Sequence, residues 1–476
     1  MGELVRSGIK NTVVRAKGPS LLRHDVDLLA FGSMTSSAIK RSRTNYMSSQ
    51  KITHALPGEK SMHRPSFDAA SRVNPTLTEG GSGSSGTAAA RLPVTVRTAA
   101  AHASAAESAR RLSRETVGQL TGAGLARHFV PRRWGGEEGT FGGLLATAAT
   151  VGEGCASAGW CGALFAAHGR FAAYLPARGQ DDLWGRTPDV LIATAIRPAG
   201  EARPAPDGWT LSGEWHCVSG VDHADWALLS ARGAEERDAG PRLYAVPRAD
   251  FAVLESWRSL GLRGTGSHTV VVTGAQVPRH RAFPVAELMA GAPGFGRQKC
   301  HTVPSQLVGG LIFCAPALGA ARNALDTWSR WAKHAAQRSH SQGADRSLHR
   351  TLARSTTDLD AARLLLEDAA RRVDTGNWTE QDVARNSYVA TTAIDLLVKS
   401  VDRLFRTGGV HIHENSDVLE RCWRDINTIA DHAVLRSEPA ALIYADSIFS
   451  GLRDSSPAQL HSAPGISASE TSRVPA

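Results

Sequence analysis

Leu260-Gly261-Leu262-Arg263-Gly264-Thr265-Gly266-Ser267-His268-Thr269-Val270-Val271-Val272 is a glycine-spaced loop that runs directly into a β-branched strand. Closely spaced glycines allow a tight turn, and the Thr/Val run after them favours a pleated strand. The spacing is not a dinucleotide fingerprint, because a strand rather than a helix follows. Arg263 brings a positive charge to this turn. It can orient an anion or pair with a neighbouring carboxylate.

Upstream, Ile192–Ile196, Trp209–Trp215, Trp226–Ser230 and Leu243–Val246 have the same character, and Thr269–Thr273 continues it. Gly, Pro and Asp punctuate these short strands, so residues 186–285 read as a small β-barrel or sandwich. Residues 87–185 are Ala-rich with helical spacing, broken at Pro131-Arg-Arg-Trp-Gly-Gly136. Residues 300–454 return to long helices. Leu359, Leu365, Leu366 and Ala369 mark one apolar stripe; Ile394, Leu397, Val398, Val401 and Leu404 mark another that Gly408-Gly409 should stop. Long helices joined by short loops predict a four-helix bundle. The expected class is α+β: a helical domain, a central β domain and a helical bundle, with no internal repeat.

The 476 residues carry a formal charge of +9. Residues 1–80 hold 12 Lys/Arg against 6 Asp/Glu, so most of the excess sits at one end. Residues 1–86 lack periodicity, end in the linker-like Glu79-Gly-Gly-Ser-Gly-Ser-Ser-Gly86, and predict a disordered basic extension. Such a tail attracts polyanions without specificity or is simply solvated; no specific nucleic-acid partner is expected. Met34, Met47 and Met62 leave a later start open. A disordered tail is expected over 455–476. No run of about 18 apolar residues and no secretory signal is found, so a cytoplasmic protein with no membrane span is expected. The six cysteines form no CxxC pair and read as free thiols.

Three stretches together resemble the acyl-CoA dehydrogenase superfamily over about residues 90–450, most closely its monooxygenase branch, the group D flavin hydroxylases. The first is Gly213-Glu-Trp-His-Cys-Val-Ser-Gly-Val-Asp-His-Ala-Asp-Trp226. Read alone, Ser219-Gly220 is a turn between strands. The resemblance implies that Ser219 and Gly220 lie at the flavin N5/C4a edge, with Trp215 in the pocket. The second is the loop quoted above, similar to the family's G-[LM]-R-G-[ST]-x-S. It implies that Arg263 neutralises reduced flavin or orients the substrate, and that Ser267 touches flavin or loop. The third runs from Phe405-Arg-Thr-Gly-Gly409 through Leu419-Glu-Arg-Cys-Trp-Arg-Asp425 to His432. In relatives paired glycines here, Gly408 and Gly409 in this chain, let a neighbouring subunit's backbone approach the flavin phosphates or adenine end.

Dehydrogenases of the superfamily place a catalytic Glu nine positions after the Arg of the Arg-Asp pair. Position nine after Arg424 is Ala433, and His432 precedes it, as in the monooxygenases. A histidine suits deprotonation of a phenol, or the sharing of a proton with a flavin hydroperoxide. A fourth stretch, Ala158–His168, is similar to a family helix that carries a Trp and, eight residues on, a His; it implies His168 as a pocket residue.

The resemblance implies the oxygenase component of a two-component flavin-dependent monooxygenase. It would take diffusible FMNH2 or FADH2 from a separate NAD(P)H:flavin reductase and use O2 through a C4a-hydroperoxide. Its substrate would be a phenol or other aromatic, in natural-product tailoring or aromatic catabolism, and the assembly a homotetramer. Ser219 would help hold the oxygen adduct, and His432 would be the base. Three rivals stand beside it: an acyl-CoA dehydrogenase, an N-hydroxylating amine monooxygenase, and a non-catalytic helical assembly protein. His411-Ile-His413 with Glu414 lacks a third metal ligand, so no metal is expected. Asp181-Asp182, Asp358/Asp360 and Glu367-Asp368 read as helix-surface charges, and no GxSxG elbow occurs.

Overall fold

A computed structural model describes residues 85–233, 240–338, 342–376, 378–415 and 417–454. The expected 1–86 extension lies outside them apart from Ser85 and Gly86, which open the first helix, and the 455–476 tail lies outside them entirely. Among the described residues five helices come first: α1 (Ser85–Ala109), α2 (Arg114–Gly122), α3 (Phe141–Gly154), α4 (Ala156–Ala172) and α5 (Ala177–Trp184). Eight strands follow: β1 (Ile192–Ala195), β2 (Glu201–Ala205), β3 (Gly208–Val218), β4 (Trp226–Gly233), β5 (Arg242–Pro247), β6 (Ala252–Leu254), β7 (His268–Pro278) and β8 (Ala282–Pro284). After a short α6 (Val285–Ala290) come α7 (Ser305–Arg338), α8 (Gln342–Thr375), α9 (Glu380–Asn415), α10 (Asp417–Ala430) and α11 (Ser437–Asp454).

The strands form one sheet path in the order β6-β7-β3-β2-β4-β5-β8, with β1 parallel to β4. Strands β4 and β5 show why this block reads as continuous apolar runs. Ala227, Leu229, Tyr244 and Val246 point into the β core; Leu228, Leu243 and Ala245 point the other way, into a second core shared with Phe171, Leu183 and Trp184. Side chains alternate across a strand, so a strand buried on both faces loses the polar alternation.

Helices before and after the β domain share a third core. Leu144, Ala148 and Val151 of α3 pack with Leu311, Leu318 and Trp328 of α7 and with Leu366 and Leu397 of the bundle. Asp374 of α8 fixes the start of α3 by accepting from the amides of Phe141 (2.8 Å) and Gly142 (2.9 Å), while Thr140 Oγ1 accepts from Gly143 (3.0 Å). A carboxylate there satisfies otherwise orphaned N–H groups and meets the positive end of the helix dipole. Ser305–Gln337 is long and apolar enough to cross a membrane, but 78% of its most apolar window is buried inside the fold, as in a core helix. Gly408-Gly409 does not end α9. Gly409 adopts φ 59°, ψ −165°, a kink that only glycine takes without strain, and the helix resumes.

Candidate active site

The loop from Leu260 to Ser267 is bolted to α10 before it reaches the strand. The Leu262 amide donates to the buried carboxylate of Asp425 at 2.6 Å, Gly261 N donates to Thr428 Oγ1 at 3.0 Å, and Arg424 donates to the Leu260 carbonyl at 2.9 Å. Gly261 is required by this approach, since a Cβ there would lie 2.2 Å from the Arg424 carbonyl oxygen. Leu262 itself adopts a left-handed φ of 50°, unusual for a branched side chain and affordable only where neighbours fix it. Its carbonyl accepts from Trp257 Nε1 (2.9 Å) and from Thr265 Oγ1 (2.9 Å).

From Thr265 a file of hydroxyls leads to Ser219. Thr265 Oγ1 and Ser267 Oγ are 2.7 Å apart, Ser267 Oγ and Ser219 Oγ 2.8 Å, and the indole N–H of Trp160 donates to Ser219 Oγ at 3.1 Å. A bulge in the β3–β7 pairing between Trp215 and Val218, with Cys217 at φ 59°, turns the chain so that half-buried Ser219 meets this file. Bulges next to functional sites re-aim side chains in this way. Gly220 follows in the left-handed region, and its amide donates to the Thr265 carbonyl at 2.8 Å.

Trp160 also joins Ser219 to the end of α10. Its ring lies 5.8 Å from that of His432 and 5.0 Å from that of Phe313 on α7, and Phe313 and His432 are 3.9 Å apart. Burial disfavours the imidazolium and pushes the pKa of His432 down to about 4, so the ring is neutral near pH 7. His432 Nδ1 accepts from the Val434 amide at 3.3 Å. The ring proton therefore resides on Nε2, and the neutral ring presents a donor there. With Nδ1 engaged, the neutral ring offers a hydrogen-bond donor at Nε2, whereas the expected role of base would need Nε2 free of its proton.

The structure brings together Ser219, Gly220, Ser267 and His432 from the predicted set. Arg263 sits at the rim of the same loop, 3.8 Å from Glu107, the carboxylate pairing that its sequence left open. Trp215 does not belong with them. It is buried in the β core, its indole N–H spent on the Ser230 carbonyl at 2.7 Å, because it falls on the inward face of β3. His168 is buried where α4 meets β1. Its Nδ1 donates to the Ile192 carbonyl at 2.7 Å and its ring packs on Phe171 (5.7 Å), rather than on Trp160 or His432. Burial pushes its pKa down to about 4. Gly408 and Gly409 lie at the α9 kink, and a Cβ on Gly409 would meet nothing within 4 Å in this chain. The His411–His413 side chains lie outside what is described, and among the described residues no metal-ligating cluster occurs.

Trp160, Phe313, Thr265 and Asp425 were not singled out by sequence, although Trp160, Thr265 and Asp425 stand inside motifs that were. The rejected acidic pairs are ion-paired: Asp182 with Arg281 (2.6 Å) and His280 (2.9 Å), Asp358 with Arg403 (2.6 Å), and Glu367 with Arg363 (2.9 Å). Of the cysteines, Cys155, Cys161, Cys314 and Cys422 are buried and all six are free.

The family described as acyl-CoA dehydrogenase, C-terminal domain, matches residues 311–437. The flavin-dependent monooxygenase oxygenase subunit HsaA of Rhodococcus jostii is 28% identical over 75% of this chain and 97% of its own. The FADH2-dependent resorcinol hydroxylase oxygenase component of a Rhizobium species is 29% identical over 68% of this chain and 85% of its own. Among solved structures, the 3-HSA hydroxylase of a Rhodococcus species superposes with a TM-score of 0.72 at 26% identity, covering 76% of this chain and 97% of the other. XiaF from a Streptomyces species, solved with FADH2 and glycerol, gives 0.70 at 26% identity, covering 76% and 95%. With the fold and the site at hand, the chain is similar to the oxygenase components of flavin-dependent monooxygenases, and its fold is that of the acyl-CoA dehydrogenases.

Proposed function

We propose that this protein hydroxylates a phenol or another electron-rich aromatic, using O2 and a reduced flavin delivered by a separate NAD(P)H:flavin reductase. The observation that carries the reading is Ser219, joined through Trp160 to the neutral His432, with Ala433 where a dehydrogenase of this fold needs a carboxylate. The groups present fit a reduced flavin. Ser219 is half-buried and its single proton is drawn inward along the hydroxyl file, leaving a lone pair for an N–H donor such as flavin N5–H.

Reduced flavin, when bound, supplies the electrons that activate oxygen. The protein's residues do the rest. Ser219 accepts from the N5 side of the ring, and Trp160 holds that serine while closing the wall behind it. His432 Nε2–H donates to the substrate oxygen and orients the ring for attack, favouring the phenolate. Phe313 and Trp160 keep water away from both. Gly408 and Gly409 would complete a neighbour's flavin site, which calls for a homotetramer, and the protein would work in the cytoplasm. Either FMNH2 or FADH2 satisfies the Ser219 contact. Natural-product tailoring and aromatic catabolism both supply substrates of this chemistry.

The test mixes the protein anaerobically with reduced FMN or FAD, adds oxygen, and follows flavin absorbance. The reading requires that bound flavin reoxidise more slowly than free flavin and that an added phenol be hydroxylated. Reoxidation at the free-flavin rate would overturn it. Acyl-CoA-dependent reduction of a tightly held oxidised flavin would favour the dehydrogenase.

A further inference from the structure

The hydroxyl file behind Ser219 has a direction that can be read by counting protons. A carbonyl oxygen only accepts, so the Thr265 hydroxyl spends its proton on Leu262 O (2.9 Å). Ser267, 2.7 Å away, then donates to Thr265, and Ser219, 2.8 Å from Ser267, donates to Ser267. Trp160 Nε1–H fills one lone pair of Ser219 (3.1 Å). What Ser219 has left to offer a ligand is its other lone pair. Reversing the file costs the Thr265–Leu262 bond, because Thr265 has one proton to give.

We propose that Thr265 and Ser267 are positioning residues that hold Ser219 as an acceptor, so that the site selects reduced over oxidised flavin. This rests on the functional reading that places flavin N5 at Ser219. Reduced flavin carries a proton on N5 and donates; oxidised flavin has only a lone pair there and needs a donor. With the file pointing inward, Ser219 satisfies the first and opposes the second. The selectivity is set by two hydroxyls that do not face the ligand. Both are buried, and the turn that carries them is held to α10 through Asp425 and Leu262. An oxygenase supplied by a separate reductase gains from this bias, since it releases spent oxidised flavin.

Thr265→Val keeps the shape and removes the end of the file. Ser267 must then donate to Ser219, and the Ser219 proton turns outward. Thr265→Ser keeps the hydroxyl and serves as the conservative control. Each protein is titrated anaerobically with reduced FMN and separately with oxidised FMN, FAD being run in parallel, and the ratio of the two dissociation constants is read. Wild type should prefer reduced flavin. In Thr265→Val the ratio should fall about tenfold, the weight of one hydrogen bond, chiefly through tighter binding of the oxidised form. Thr265→Ser should restore it. Ser267→Ala, which frees the Ser219 proton without reversing it, should move the ratio the same way by about threefold, and it carries the test if Thr265→Val does not fold. An unchanged ratio in both folded variants, or a wild type without preference, overturns the inference alone. A wild type that binds neither flavin overturns the functional reading and the inference with it.

Discussion

The Val434 amide donates to Nδ1 of His432 at 3.3 Å, so the residue at the end of α10 caps the turn that follows and is held with its proton on Nε2. A histidine so held is a donor, and its pKa near 4 keeps it neutral above that pH. The pH dependence of kcat/KM should therefore follow the phenol rather than the histidine. It should rise through the pKa of the substrate and move with that pKa when substrates of different acidity are compared. A limb near pH 6.5 that is the same for every substrate would return His432 to the role of base.

The histidines His168 and His301 are buried, and burial depresses each to about 4 from 6.5. The unfolded chain thus binds more protons than the folded one between those values, so stability should fall as pH drops from about 6.5 towards 4. The upper bound is on the order of 3 kcal/mol for each histidine. Asp425 acts with the opposite sign, since burial lifts its carboxyl to about 6 and the folded chain takes up its proton first. Urea midpoints at pH 7 and pH 5 check the balance. His301→Gln should flatten the slope, and an unaltered slope would show that this ring does not titrate as its burial demands.

Asp425 can be separated into charge and acceptor. Asp425→Asn retains an oxygen for the Leu262 amide and removes a costly buried charge, so stability at pH 7 should stay level or rise. Asp425→Ala leaves a buried N–H without its partner and should cost about 1–3 kcal/mol. Denaturant midpoints distinguish the two, and equal losses would mean that the carboxylate matters only as a charge.

Gly261→Ala tests the contact of loop and helix. The added methyl would meet the Arg424 carbonyl at 2.2 Å, and neither backbone can yield without moving Leu262 and the hydroxyl file after it. A loss of about 1–3 kcal/mol is expected, together with weaker binding of reduced flavin. Thermal melts and anaerobic titration read the two effects.

Local chemistry made most of this fold legible. Alternating burial in β4 and β5 leaves an apolar run, and the glycines of the 260–266 loop announce a turn. Strands β2, β6 and β8 span five, three and three residues, too short to establish a period of their own. Trp215 shows the limit at the site. Sequence marks it as a large aromatic beside Ser219, but the pleat aims it into the β core and the bulge at Cys217 turns Ser219 elsewhere. Trp160 and Phe313 reach His432 from α4 and α7, contacts made only by tertiary packing. Ser219 and Ser267 were each readable from motifs, whereas the file that joins them through Thr265 to Leu262 arises only where the β3 bulge packs against the 260–267 loop.

Trp160 is the residue on which both halves of the site lean. Its indole N–H holds Ser219 while its ring packs against Phe313 and His432. Trp160→Phe keeps an aromatic ring in the stack and deletes only the donor. The fold should persist with a loss of about 1–2 kcal/mol, given the smaller ring. Ser219, released on one side, should hold the flavin edge less firmly, so oxidation of the bound reduced flavin by oxygen should accelerate by about tenfold, the weight of one hydrogen bond. Hydrogen peroxide should then replace part of the hydroxylated product. Trp160→Ala would also open a void beneath His432 and should cost about 3–5 kcal/mol, so the phenylalanine variant is the informative one. Stopped-flow absorbance with a peroxide assay reads the outcome. Wild-type oxidation kinetics in a folded Trp160→Phe protein would mean that the indole serves only as packing and that Ser219 is held by Ser267 alone.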